Sequence, residues 1–307
     1  AAVDTIRQAA SHPDRPFFLD AGFFETHRPF PAAPADAGRW LAPPAALPDT
    51  EATRGDMADF QASLSILDDA YGAILDALDE AGLADNTLVI ATTDHGIAFP
   101  WAKCTLTDRG TGVLLIMRGP SGIDGGRVLD ALVSQVDLYP TLCEIAGVEP
   151  PDWLEGRSLL PLLRGEADTV RDELFGEVPY HAAYEPQRLL RTDRWALIRR
   201  FGGRRTPVLP NLDDSPSRDV VLEAGYAEVE LPELALYDTI LDPQQRVNLA
   251  DSPPHREIRD NLLTRLTAWM EATDDPLRHG EVPLPPGGRA NDPDARTFSE
   301  GLLEGGA

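Results

Sequence analysis

Met57, Phe60, Leu64, Leu67, Tyr71, Ile74 and Leu78 recur at alternating steps of three and four, which draws one apolar stripe along a single long helix. Gly82 stands where a helix-closing glycine belongs. A helix of this length can bury its stripe only against a larger surface, and the chain supplies candidates on both sides. Pro16 to Phe24 is a short apolar run bounded by Pro and by the polar Glu25-Thr26-His27, and Thr87 to Thr92 is a β-rich run entered through the turn Asp85-Asn86. Strand, helix, strand in this order predicts a parallel crossover.

A third buried run, Val113 to Met117, leads into the turn Gly119-Pro120-Ser121-Gly122, and Val136 to Ala146 reads as a short helix ended by Gly147. Beyond Pro150 the texture changes. Phe175–Val178, Trp195–Ile198 and Leu234–Tyr237 are short strands without long helices between them, the pattern of a small antiparallel sheet. Ile258, Leu262, Leu266 and Trp269 then mark one amphipathic helix to cover it. The expected organisation is α/β over residues 1–165, a small α+β subdomain over 166–290 and an extended tail over 291–307. No internal repeat is present.

At 307 residues with 42% hydrophobic content the chain can bury a substantial core. Its 27 Lys and Arg against 51 Asp and Glu give a net charge of −24, which opposes nucleic acid and anionic membrane surfaces as partners. No apolar run reaches the length of a membrane span. Cys104 and Cys143 allow one disulfide at most, and the compartment stays undecided.

Ligands of open α/β sheets bind beyond the carboxyl ends of the strands. Two expected strands end in polar clusters there, the first at His27 and the second at Asp94-His95. A carboxylate and an imidazole side by side can both reach one divalent cation. The plainer alternative is an Asx turn at Asp94 with His95 in a loop. Taken alone, Lys103 reads as a solvated surface lysine and His27 as a loop histidine. His181, within Tyr180-His181-Ala182-Ala183-Tyr184, reads equally as a substrate contact or a packed loop residue. Arg188 and Arg191 could bind an anion, although arginines between strands more often form buried ion pairs. Cys104 is assigned no role, since free cysteine is usually a small buried hydrophobe.

The segment from Asp94-His95-Gly96 to Lys103 and on to Asp108-Arg109-Gly110 resembles the sulfatase pattern, in which Asp-Asn or Asp-His and Gly precede a loop carrying Lys or Arg. Similar correspondence is found at Gly22-Phe23-Phe24 to His27-Arg28-Pro29-Phe30, at Val136-Asp137-Leu138-Tyr139-Pro140-Thr141-Leu142, and at Glu155-Gly156-Arg157-Ser158-Leu159. It continues at Arg188-Leu189-Leu190-Arg191-Thr192, Leu236-Tyr237-Asp238, Asn248-Leu249-Ala250 and Thr273-Asp274-Asp275-Pro276. The resemblance runs over nearly the whole chain and is strongest to the N-sulfoglucosamine sulfohydrolase branch. It implies the rear part of an alkaline-phosphatase-like fold, a mostly parallel sheet sandwiched by helices, followed by a small α+β domain with an antiparallel sheet and a C-terminal helix.

The same resemblance implies roles for residues. Asp94 and His95 correspond to metal ligands, for calcium in this family, with manganese or zinc left open by the imidazole. Lys103 corresponds to the basic residue that contacts the sulfate, and His27 to the histidine near the leaving group. The implied substrate is a sulfated small molecule or glycan, and a homodimer is compatible with it. The family's nucleophile, a formylglycine made from Cys or Ser in a Cys/Ser-x-Pro/Ala-x-Arg stretch, has no counterpart around Cys104 or Cys143. The paired aspartates and the Lys and His expected before His27 are also missing, so the expectation is a C-terminal portion whose nucleophile lies upstream. Two alternatives stay open: a phosphodiesterase or phosphonate monoester hydrolase of the same superfamily, and a non-catalytic fragment that binds sulfated glycans.

Overall fold

The computed structural model describes residues 1–120, 123 and 126–305, so part of the turn expected at Gly119 to Gly122 lies outside the described residues. Two layers of different construction make up the chain. The first begins with α1 (Ala2–Ala10) and is organised by α2 (Glu51–Glu80). Thr50 caps α2 in a reciprocal capping box with Thr53, and Gly82 at φ 66° takes the left-handed conformation just past its end. Ile6, Ala77 and Leu78 form a small core there, with Leu19 and Val89 packed against it.

The sheet of this layer differs from expectation. β1 (Val89–Thr92) pairs antiparallel with β2 (Leu115–Arg118), in a register that sets Val89 opposite Arg118 and Thr92 opposite Leu115. Pro16 to Phe24 forms no strand, and Phe18 is 81% exposed. The segment contributes Leu19 to the core beside β1 but makes no ladder with it, so no parallel crossover exists among the described residues. An apolar run becomes a strand only where a neighbour accepts its backbone hydrogen bonds, and here none does. α3 (Asp108–Thr111), α4 (Leu138–Ala146) and α5 (Leu160–Leu163) complete the layer, and Gly147 at φ 66° closes α4 as its sequence predicts.

The second layer is the expected antiparallel sheet, enlarged to four strands in sequential order: β3 (Glu173–Tyr180), β4 (Tyr184–Thr192), β5 (Trp195–Arg200) and β6 (Leu234–Asp238). Leu190, Leu197 and Leu236 lie directly across from one another on successive strands, and all three are fully buried. Leu262, Leu266 and Met270 of α7 (Arg256–Ala272) cover that face. The neighbouring row, Leu189, Ile198 and Ala235, points the other way and packs on Leu106 of the first layer. The alternation is the strand period of two read on both faces. α6 (Pro216–Glu223) follows β5 and packs beside α2.

Arg188 and Arg191 are spent on structure. Arg188 donates to both oxygens of Asp275 at 2.5 and 2.9 Å with both side chains buried, and Arg191 pairs with Asp108 at 3.1 Å. The region expected to be an extended tail instead folds back. β7 (Arg289–Asn291) pairs with β8 (Leu302–Glu304), and Asn291 N donates to Ala182 O at 2.7 Å.

Candidate active site

The loop that leaves β1 is wound tightly enough to dictate its glycines. Gly96 N donates to Gly110 O at 2.9 Å, and a Cβ on Gly96 would lie 1.8 Å from Arg109 O. No side chain fits that approach. Between these glycines Trp101 (φ 66°) and Cys104 (φ 68°) adopt left-handed backbone conformations, unusual for residues other than glycine. They flank Lys103 and turn its side chain inward, where it is 7% exposed. Trp101 packs edge-on against Tyr226 with ring centroids 4.6 Å apart, and Arg109 Nε donates to Trp101 O at 3.1 Å. The strained turn is therefore held from both layers.

Lys103 Nζ donates to both oxygens of Asp213, at 3.0 and 3.2 Å. Asp213 comes from the second layer, just after the short turn Leu209–Asn211. A buried ammonium requires such a partner, yet nothing in the sequence around Pro210-Asn211-Leu212-Asp213 signals it. Asn211 fixes this strand of chain by accepting from Ala183 N at 2.9 Å and donating to Glu185 Oε2 at 2.9 Å.

Asp94 and His95 lie just past β1. Asp94 Oδ1 accepts from the adjacent His95 N at 3.0 Å, while Gly96 N, the donor an Asx turn would use, is given to Gly110 O, so the Asx turn does not form. His95 Nδ1 donates to Gly96 O at 2.6 Å, which assigns the proton to Nδ1 and leaves a lone pair on Nε2. Nε2 lies 3.4 Å from Asp94 Oδ2. Two donors about 2.3 Å from one cation and roughly at right angles are separated by about 3.2 Å, so the pair fits adjacent positions around a divalent ion. Among the described residues no group of three or more His, Cys, Asp or Glu side chains is placed to hold a metal. A cation at the Asp94–His95 pair would therefore find no third such side chain among the described residues.

His27 is exposed on the loop before α2, and its Nδ1 donates to Arg28 O at 2.6 Å, which leaves Nε2 open. Arg28 anchors the loop. Its guanidinium binds both oxygens of buried Asp56 on α2 at 2.7 and 2.8 Å, donates to Ala98 O at 2.9 Å, and lies 4.2 Å from the centre of the Phe30 ring. The fork thus ties the His27 loop to both α2 and the Lys103 loop.

His181 sits at the tip of the β3–β4 hairpin. The tip is braced by Tyr180 Oη donating to Val282 O, by Val282 N donating to Tyr184 Oη, and by Asn291. Packing on its inner side pushes the His181 pKa below the ordinary value, and Lys103 pushes it further down. Asp213 opposes that shift, while His95 and His27 add to it. The shift favours the uncharged imidazole, and His27, His95, Lys103 and Asp213 lie within electrostatic range of it. Around the residues singled out from sequence the structure adds Asp213, bound to Lys103, Arg28 and Asp56, which hold the His27 loop, and Asn211, which holds the chain beside His181. Cys104, beside Lys103, has its thiol pushed up to about 12 by burial, and Cys143 is buried in α4. The Cys104 thiol is therefore not an ionised nucleophile.

A family profile described as Sulfatase matches residues 1–148, and one described as N-sulphoglucosamine sulphohydrolase, C-terminal, matches residues 99–230. The chain belongs to the sulfatase family. Among relatives of this sulfatase chain, the Homo sapiens N-sulphoglucosamine sulphohydrolase is 28% identical over 86% of the chain and 62% of the relative. The Mus musculus steryl-sulfatase is 32% identical over 81% and 40%, and a Formosa agariphila ulvan-active sulfatase 33% identical over 66% and 41%. The chain thus spans 40% to 62% of the length of these relatives. Solved structures agree on the alkaline-phosphatase-like α/β fold. A 2-O GAG sulfatase superposes with a TM-score of 0.60 at 22% identity, covering 90% of this chain and 58% of that one. A protein in complex with its substrate D-glucosamine-2-N,6-O-disulfate gives 0.58 at 23% identity, covering 73% and 42%.

Proposed function

We propose that the sulfatase to which this chain belongs hydrolyses a sulfate ester or sulfamate on a glycosaminoglycan-type sugar. The observation that carries this reading is the buried Lys103 ammonium, held by Asp213 on the loop that follows a carboxylate–imidazole pair spaced for one cation. Relatives named for N-sulphoglucosamine and ulvan support the sugar, and the solved complex with a glucosamine disulfate is in keeping with it.

Sulfuryl transfer builds negative charge on the sulfuryl oxygens and on the bridging atom of the leaving group. Lys103 has three N–H donors, of which Asp213 takes two, so one remains for a sulfuryl oxygen. His27, with Nδ1 committed to Arg28 O, presents Nε2 to carry the proton that the leaving oxygen or nitrogen needs. His181, its uncharged form favoured, suits a hydroxyl of the sugar better than the sulfate. A divalent ion held by Asp94 Oδ2 and His95 Nε2, calcium by family resemblance, would supply positive charge to the sulfuryl group. The nucleophile is neither cysteine of this chain; the family's formylglycine would have to come from residues beyond these.

The test is sulfate release from N-sulfoglucosamine by the protein as its gene encodes it. Lys103→Ala should lower kcat by about 10²- to 10³-fold, the loss usual for one charge-stabilising donor. Undiminished turnover in that variant would remove Lys103 from the chemistry. The 307-residue chain alone should show no turnover, and measurable sulfate release by it would mean that a nucleophile lies within these residues.

A further inference from the structure

A cavity apart from the Lys103 loop touches the site above only through the hydrogen bond from Asn211 to Glu185. It lies in the second layer, with a volume of about 260 Å³, between the start of β4, the end of β5 and the turn that follows. Arg200 and Glu185 line it together. The Arg200 side chain is 19% exposed, and its buried Nη1 has no hydrogen-bond partner among the described residues. Its charge partner, Glu185 Oε1, is 3.6 Å away, too far for a hydrogen bond. Glu185 uses its other oxygen to accept from Asn211. Arg200 thus keeps one buried donor without a partner, beside a Glu185 oxygen that accepts no hydrogen bond among the described residues and is not itself sealed from water.

The rest of the lining selects among ligands. Phe201, Pro186 and Pro293 give an apolar wall, while Glu281 adds a second carboxylate and Arg204 is already committed to Asp294 at 2.6 Å. An anion would meet two carboxylates with one uncommitted arginine, in a chain of net charge −24. A neutral hydroxyl answers both unsatisfied groups, accepting from Arg200 and donating to Glu185. The volume is below the range of roughly 300 to 1,000 Å³ for drug-sized ligands, which suits one ring rather than an extended chain.

We propose that this cavity binds a single neutral pyranose unit, its hydroxyls bridging Arg200 and Glu185 and its apolar face against Phe201. The inference does not depend on sulfatase activity, because unsulfated sugars and binding alone test it. Saturation-transfer NMR and calorimetry on the 307-residue chain would use glucose, galactose, N-acetylglucosamine and cellobiose, with inorganic sulfate as the anion probe. At least one sugar should bind saturably in the millimolar range. Arg200→Gln and Glu185→Gln should each weaken it at least about tenfold, the loss usual for a hydrogen bond to a charged group, with the unfolding midpoint monitored in parallel. If Arg200→Gln does not fold, Arg200→Lys, which keeps the charge but not the planar fork, serves instead. Failure of every sugar to bind at about 50 mM, binding unchanged in the variants, or binding of sulfate at this cavity in place of the sugars would overturn the proposal.

Discussion

In the four-stranded sheet, Leu190, Leu197 and Leu236 form one cross-strand row without exposure, and the row beside it is buried on the opposite face. In the two-stranded ribbon of the first layer, Ile116 is 58% exposed, and β1 is only partly buried along its length. The exposed character extends to α2, where Leu64 and Ile66 also face solvent. Every residue proposed for sulfuryl chemistry except His181 comes from the open layer, yet what holds them comes largely from the closed one. Asp213 pairs with Lys103, Tyr226 packs on Trp101, and Leu189 and Ile198 share a core with Leu106. The chemistry is carried on loops whose precision is borrowed from a neighbouring rigid sheet.

The largest expected effect lies in the closed layer. Asp275→Ala should destabilise the fold by about 3–5 kcal/mol, because it leaves the buried Arg188 charge with only the exposed Glu177 at 3.3 Å; denaturant unfolding of both proteins measures this. The same pair has a pH signature. Burial raises the Asp275 pKa, but the hydrogen bond from Arg188 and that from Leu277 N outweigh it and hold the carboxyl below its ordinary value of 3.8. Its contribution to stability is therefore present above that value and lost as pH falls through the native pKa, and Asp275→Asn should flatten the acid limb of the stability profile.

Next in size, Leu197→Ala should cost about 2–5 kcal/mol through the cavity it leaves, whereas Ile116→Ala in β2 should stay within about 0.5 kcal/mol. Equal losses at the two positions would erase the contrast between the layers. Hydrogen exchange should show the same ordering without mutation, with amides of β4 and β5 exchanging only on global opening and those of β1 and β2 through smaller fluctuations. The smallest effect is the sharpest test of convergence. Lys103→Ala should raise the His181 pKa and Asp213→Asn should lower it, both read from the imidazole resonance by NMR. A His181 titration indifferent to both would mean that the hairpin tip and the Lys103 loop do not share one electrostatic environment.

Elements whose stabilising partners are near in sequence were legible. α2 and α7 showed as stripes, Gly82 and Gly147 as helix ends, and the short strands after Pro150 as an antiparallel sheet. Pro16 to Phe24 misled because an apolar run states that a segment wants burial, not that a neighbour exists to complete a ladder. The folded-back tail was missed for a related reason: its Pro and Gly content reads as extended, while the bond from Asn291 to Ala182 spans more than a hundred residues.

For the candidate site, sequence determined the residue types and their local turns. Asp94-His95-Gly96 at a strand end, Lys103 seven residues beyond Gly96, and His27 after its apolar run are all short-range patterns. It could not determine what those side chains face. The ion pair from Lys103 to Asp213 and the fork from Arg28 to Asp56 join segments 110 and 28 residues apart. Only the packed chain decides these, because a buried charge takes whichever partner the fold delivers to it, and no local spacing encodes that delivery.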